Sequence, residues 1–192
     1  MNLLRSLHRE GVEHDAAQDD RLLRRRNLEP ESAALLAVVL RAAGTRAMAE
    51  IGTSNGYSTI WFADALRANG GERLLSVDLD GRAQREAAEN LGRAGLADRV
   101  ELREADGGAV LRELPDGRLD ALFLDSERPE YAGWWPHPLR VLRPGGLLIV
   151  DNVLSHPGEV ADFIGLIEAD GGCTTTTAPV GKGLLLAVRN PG

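Results

Sequence analysis

From Arg46 onward the chain alternates short apolar runs with longer helical patterns, and this rhythm restricts its fold more than any other feature. The runs are Arg46 to Ile51, Arg73 to Asp78, Arg99 to Glu104, Leu119 to Leu124 and Gly146 to Val150. Helices are expected between them, starting near Tyr57, Arg82, Gly107 and Glu130, with another from Pro157 to Asp170. Strands that alternate with helices are joined by crossovers, so they lie parallel and carry helices on both faces of the sheet. Two last runs, Cys173 to Pro179 and Gly183 to Val188, are separated only by a turn around "APVGKG". No crossover helix fits there, so they should pair antiparallel. The expected fold is α/β: a seven-stranded, mostly parallel sheet ending in an antiparallel hairpin.

The 192 residues contain no linker-like tract and are expected to form a single domain. Residues 1–26 read as an N-terminal helical extension and 27–192 as the core. Within the core, "EPESAALLAVVLRAAG" reads as a helix with Pro30 in its first turn and Gly44 just past its end. No apolar run is long enough to span a bilayer, and the N-terminal stretch lacks the apolar centre of a secretory signal, so a cytoplasmic protein is expected. One cysteine, Cys173, excludes an internal disulfide and a cysteine-based zinc site. The net charge of −7 disfavours nucleic acid as a partner. The local exception is Arg21, Arg24, Arg25 and Arg26, read as a solvated helix face or subunit contact before a phosphate grip.

Open parallel sheets bind ligands beyond the carboxyl ends of their strands, so the polar residues there carry the functional signal. The first strand enters "AEIGTSNGYST", where Gly52 and Gly56 bracket small and polar residues that let a ligand approach the backbone. This spacing is not the Gly-x-Gly-x-x-Gly of a dinucleotide site, and Glu50 puts a negative charge where a phosphate binder would avoid one. The second strand ends in "SVDLD". Asp78 is placed to accept hydrogen bonds from two ribose hydroxyls, and Asp80 better suits a helix cap. After the third strand, Ala105, Asp106 and Gly107 stand where an adenine would lie. A ribose, an adenine and a positive centre together describe S-adenosylmethionine. Taken singly, each feature is equally well read as an ordinary strand-to-helix turn or a cap.

On "EIGTSNGYST", "SVDLD", "FLDSERPEY", "RPGGLLIVDNV" and "PVGKGL", the sequence resembles the Rossmann-like class I S-adenosylmethionine-dependent methyltransferases. More narrowly, it is similar to the cation-dependent O-methyltransferases, the group containing catechol and caffeoyl-CoA O-methyltransferases. The resemblance runs from about Asn27 to Val188. It implies cofactor contacts from Glu50, Gly52, Ser54, Gly56, Ser58, Asp78, Leu79, Ala105, Asp106, Gly107 and Asp125. It also implies a divalent cation held by Asp125, Asp151 and Asn152, a small hydroxyl-bearing acceptor of the catechol type, and a homodimer. An all-oxygen ligand set of this kind suits a hard ion such as Mg²⁺.

Where the family carries a lysine base, three residues after the first metal aspartate, this chain has Arg128. A guanidinium is a poor proton acceptor but can orient or stabilise an oxyanion, and Arg128 is the expected catalytic residue in that sense. It can equally grip a carboxylate or phosphate on a different acceptor. His156 is a candidate substitute base. Trp134 and Trp135 are adjacent, so at most one should line a site, and core packing suits them better. Two other readings remain open from the sequence: methylation of a tRNA nucleotide gripped by the Arg21 to Arg26 cluster, and a cofactor-binding protein that has lost catalysis.

Overall fold

The computed structural model describes residues 2–20 and 24–191. The elements follow in the order α1 (Asn2–Ala16), α2 (Pro30–Ala42), β1 (Met48–Ile51), α3 (Tyr57–Ala68), β2 (Leu74–Asp78), α4 (Gly81–Ala94), β3 (Val100–Glu104) and α5 (Gly107–Glu113). They continue with β4 (Leu119–Leu124), α6 (His137–Arg140), β5 (Leu142–Val150), α7 (Pro157–Asp170), β6 (Cys173–Ala178) and β7 (Leu184–Arg189). The sheet order is β3-β2-β1-β4-β5-β7-β6. β1 to β5 run parallel, whereas β7 pairs antiparallel with both β5 and β6. This is the seven-stranded sheet expected from the alternation. The order reverses between β1 and β4, and a crevice opens there at the carboxyl ends of the strands.

The central strands are apolar on both faces because both faces are covered. On one side Phe123 and Ile149 pack with Leu36, Leu40, Phe62 and Leu66 of α2 and α3, and α1 adds Leu7. On the other side Leu122, Leu124, Leu148 and Val150 pack with Val110, Leu111, Phe163 and Ile167 of α5 and α7. The rings of Phe62 and Phe123 meet edge to face with centroids 5.0 Å apart.

Three expectations need correction. The N-terminal helix ends at Ala16, not near Arg26, and Arg24 to Glu29 is irregular chain with Arg26 at φ 48°; Arg21 lies outside the described residues. The helix expected from Glu130 is instead a 3₁₀ segment, Arg128–Trp134, followed by the single turn of α6. Pro129, Pro136 and Pro138 each remove a backbone donor and restrict the preceding residue, so a continuous α-helix cannot form. β5 begins at Leu142, because the chain pairs with Leu119 before a register shift at Pro144-Gly145-Gly146.

Candidate active site

A cavity of about 650 Å³ occupies the crevice. Its floor is the β1–α3 loop. Gly52 adopts φ 107° and its N–H donates to the Val77 carbonyl at 2.8 Å. This draws the loop under the end of β2. A Cβ at Gly52 would lie 2.2 Å from the Asp125 carbonyl oxygen, so the loop after β1 and the end of β4 touch backbone to backbone. Ser54, also at positive φ, donates its N–H to Asp78 Oδ2 at 2.9 Å, and Asp80 N–H donates to Asp78 Oδ1 at 2.9 Å. Each Asp78 oxygen keeps a lone pair toward the cavity.

Of the residues singled out in the sequence, Gly52, Ser54, Ser58, Asp78, Leu79, Ala105, Gly107, Asp125, Arg128 and Asn152 line the cavity. Four do not. Glu50 is fully buried beneath it and accepts hydroxyl hydrogens from Ser58, Thr59 and Ser76 at 2.5, 2.6 and 2.7 Å. Burial pushes its carboxyl up to about 7 against the pull of those hydroxyls. Its place is to tie α3 to β1 and β2. Gly56 faces α4, where a Cβ would come within 3.1 Å of the Ala87 Cα. Asp106 caps α5, accepting the Ala109 N–H at 2.7 Å, whereas Asp80, which does line the cavity, caps α4 through the Arg82 N–H at 2.8 Å. Asp151 sits just behind the cavity wall.

The carboxylates at the ends of β4 and β5 converge. Asn152, in a left-handed conformation at φ 66°, donates its amide hydrogens to Asp151 Oδ2 at 2.8 Å and Asp125 Oδ1 at 3.1 Å. Burial raises the Asp125 carboxyl, and the Arg26, Arg128 and Lys182 charges offset part of that rise. Asp151 is pushed up to about 8 by burial and by the Asp125 charge. Its Oδ1 is buried without a hydrogen-bond partner. A half-buried Asp125 and a buried Asp151, mutually repelling, with an orphaned oxygen and an amide between them, fit a hard divalent cation, which would relieve the repulsion and take oxygen ligands. Among the described residues no cluster of three or more His, Cys, Asp or Glu side chains is placed to hold a metal. Asp125, Asp151 and Asn152 would offer such an ion two carboxylates and one amide oxygen.

Arg128 lines the cavity. Its side chain is 4% exposed and its Nε donates to Glu159 at 2.8 Å. The guanidinium is locked beside Asp125 as a fixed positive charge. His156 lines the cavity with Nδ1 2.9 Å from Ser155 Oγ. Of the two adjacent tryptophans, Trp134 reaches the cavity, packed against Gly107 and Gly108, where a Cβ would meet its indole.

The sequence reading missed the roof. Arg24 to Leu28 cross the cavity, held by the Asp15 carboxylate, which accepts the Arg25 and Arg26 N–H groups at 2.6 and 2.8 Å. Ser54 Oγ donates to the Arg25 carbonyl at 2.7 Å, Arg25 pairs with Glu86 at 2.6 Å, and Arg26 pairs with Glu127 at 2.9 Å. These arginines are thus engaged with their own chain, not spread over a helix face for a phosphate backbone. The other omission was Lys182, whose singularity was visible in the sequence but whose position was not.

A cavity at the switch point of a doubly covered parallel sheet, with the Asp78 carboxylate at the end of β2 and paired carboxylates at the ends of β4 and β5, fits a class I methyltransferase architecture. The chain belongs to the O-methyltransferase family, whose sequence profile matches residues 3–187. It is 34% identical over 139 residues to catechol O-methyltransferase of Niastella koreensis, covering 71% of this chain and 62% of that protein. It is 31% identical over 147 residues to catechol O-methyltransferase of Mycobacterium tuberculosis, covering 77% and 66%. The matched stretches thus span less than two thirds of the length of these two relatives. Among solved structures, O-methyltransferase TomG from Streptomyces achromogenes, involved in tomaymycin synthesis and in complex with SAM, matches with TM-score 0.83 and 25% identity, covering 100% of this chain and 91% of that one. The Bacillus cereus O-methyltransferase in complex with SAH matches with TM-score 0.82 and 25% identity, covering 99% and 91%. Among the described residues no helix is long and apolar enough to cross a membrane.

Proposed function

We propose that the chain transfers the methyl group of S-adenosylmethionine to a hydroxyl of a small catechol-like acceptor, assisted by a divalent cation such as Mg²⁺. The observation that carries this reading is that one cavity brings together the Asp78 carboxylate, the close-approach loop at Gly52 and the Asp125–Asn152 pair. The ligands of the relatives named above support the choice of cofactor.

In this reading Asp78 takes the ribose hydroxyls, with its orientation set by the Ser54 and Asp80 N–H groups. Ala105, Gly107 and the edge of Trp134 form the flat wall for the adenine. Asp125, Asp151 and Asn152 would hold the cation, whose positive charge would favour ionisation of an acceptor hydroxyl. Asp125 also places negative charge near the sulfonium. The acceptor oxygen would bond to the methyl carbon as the carbon–sulfur bond breaks, the electron pair staying with sulfur and the hydroxyl proton passing to solvent. Bringing both reactants into one cavity removes much of the entropic barrier. Arg128, held by Glu159, offsets the charge of Asp125 instead of accepting a proton. A homodimer belongs to the same proposal.

The test is calorimetric titration of Mg²⁺ into protein saturated with S-adenosylhomocysteine, beside methyl transfer to catechol. Asp151→Ala should abolish cation binding and lower turnover by orders of magnitude while cofactor binding persists. Full turnover in that variant with chelator present would refute the cation-assisted reading. Cofactor binding without turnover on any hydroxyaromatic acceptor would leave a binding protein in place of an enzyme.

A further inference from the structure

Among the described residues three cations bear on Asp125, and each is backed by a carboxylate: Arg26 by Glu127 at 2.9 Å, Arg128 by Glu159 at 2.8 Å and Lys182 by Glu29 at 2.9 Å. A count of charges gives this arrangement a consequence. Asp125 and Asp151, both ionised as metal ligands must be, leave one positive charge when set against the three cations, and that would repel a divalent ion. The three outer carboxylates turn the sum into two negative charges, which one divalent ion balances.

The three pairs do not weigh equally, because water and salt screen an exposed charge far more than a buried one. The side chains of Arg26 and Lys182 are 34% and 42% exposed, whereas that of Arg128 is 4% exposed. Left without its partner, the Arg128 guanidinium would oppose a cation more strongly than either of the others. Its neutralisation falls to Glu159.

Glu159 is also tied to the site through the backbone. It stands in the first turn of α7, where its N–H donates to the His156 carbonyl at 3.0 Å, and the His156 N–H donates to the Asn152 carbonyl at 3.0 Å. Arg128 opens the 3₁₀ segment after β4, which packs on α7 through the edge-to-face rings of Tyr131 and Phe163, their centroids 5.7 Å apart. The ion pair therefore joins the loop after β4, which carries Asp125, to the loop after β5, which carries Asn152.

We propose that Glu159 is a positioning residue of the cation site: by holding and neutralising Arg128, it lets Asp125, Asp151 and Asn152 take up a divalent ion. This rests on the cation-assisted reading above and goes beyond it, because Glu159 stands outside the cavity and acts only through Arg128.

The test is calorimetric titration of Mg²⁺, at constant ionic strength, into four proteins saturated with S-adenosylhomocysteine: the parent, Glu159→Gln, Arg128→Met and the double variant. Glutamine keeps an oxygen acceptor for Arg128 Nε and removes only the charge. Glu159→Gln should weaken Mg²⁺ binding by about tenfold, the scale of one unit charge acting on a divalent ion at a partly screened site. Arg128→Met should tighten it, because Glu159 then adds an uncompensated negative charge, and the double variant should return close to the parent. A merely structural pair would weaken binding in both single variants with no recovery in the double, and that result would overturn the inference. So would an unchanged affinity in Glu159→Gln. If Glu159→Gln fails to fold, Arg128→Met decides alone: tighter binding supports the inference, and unchanged or weaker binding overturns it. A parent protein that binds S-adenosylhomocysteine but no Mg²⁺ is a separate outcome: it overturns the cation-assisted reading, and this inference with it.

Discussion

Replacing Gly52 by alanine tests whether the contact between the loop after β1 and the end of β4 sets the site. The new Cβ would stand 2.2 Å from the Asp125 carbonyl oxygen, 2.7 Å from its carbon and 3.2 Å from Ser126 N. These are backbone atoms, so no side-chain rotation relieves the overlap, and the strand end must retreat by about 1 Å to restore ordinary contact. The residue would also hold φ 107°, outside the range an L side chain adopts readily. Backbone strain of about 1–3 kcal/mol adds to overpacking of about 1–3 kcal/mol. The sum, roughly 2–6 kcal/mol, is a large part of the roughly 5–15 kcal/mol that holds a domain folded. Asp125 N–H is bound to the Ile51 carbonyl at 2.9 Å and Asp151 N–H to the Leu124 carbonyl at 3.2 Å, so the shift carries both carboxylates with it. A misplacement of about 1 Å is expected to slow transfer by about 100-fold. Urea unfolding and steady-state methyl transfer measure the two effects. Gly92→Ala is the control: no atom lies within 4 Å of its Cβ position in α4, and alanine there should stabilise by about 0.5–1 kcal/mol. A Gly52→Ala protein with parental midpoint and parental turnover would refute the reasoning.

Two other substitutions separate structural carboxylates from ligand-binding ones. Glu50 titrates at about 7 in the folded chain against an ordinary 4.5, so between those pH values the folded state holds a proton that the unfolded chain has lost. Its contribution therefore falls as pH rises through that window, by roughly 3 kcal/mol in all. Glu50→Gln should flatten the fall of unfolding free energy over that range, and an unchanged slope would show that burial does not control this group. Asp106→Ala should cost about 1 kcal/mol through the lost cap of α5, with S-adenosylhomocysteine affinity unchanged by calorimetry. A tenfold loss of affinity would return Asp106 to the cofactor site.

The alternation of strands and helices is a local property, and it was enough to determine the parallel sheet, the terminal hairpin and the placement of Asp78, Asp125 and Asn152 at strand ends. Each of those inferences needs only the periodicity of a short segment and the rule that ligands gather at carboxyl ends. Sequence order, by contrast, does not tell which way a carboxylate turns at a strand end. Glu50 and Asp78 both belong to β-strands ending at the crevice. Glu50 points into the layer beneath α3, where three hydroxyls meet it, while Asp78 opens to the cavity.

Contacts between distant segments were equally out of reach. Arg128 meets Glu159, Arg26 meets Glu127 and Lys182 meets Glu29 across loops that close only when the sheet has formed. The charges themselves are plain in the sequence. Their partners depend on long-range packing. The sequence by itself therefore determined the architecture and which polar residues stand at the strand ends. Only the tertiary structure decided which charged groups are spent on one another and which remain open to a ligand, because pairing follows distance in space and burial, and neither is a function of local pattern.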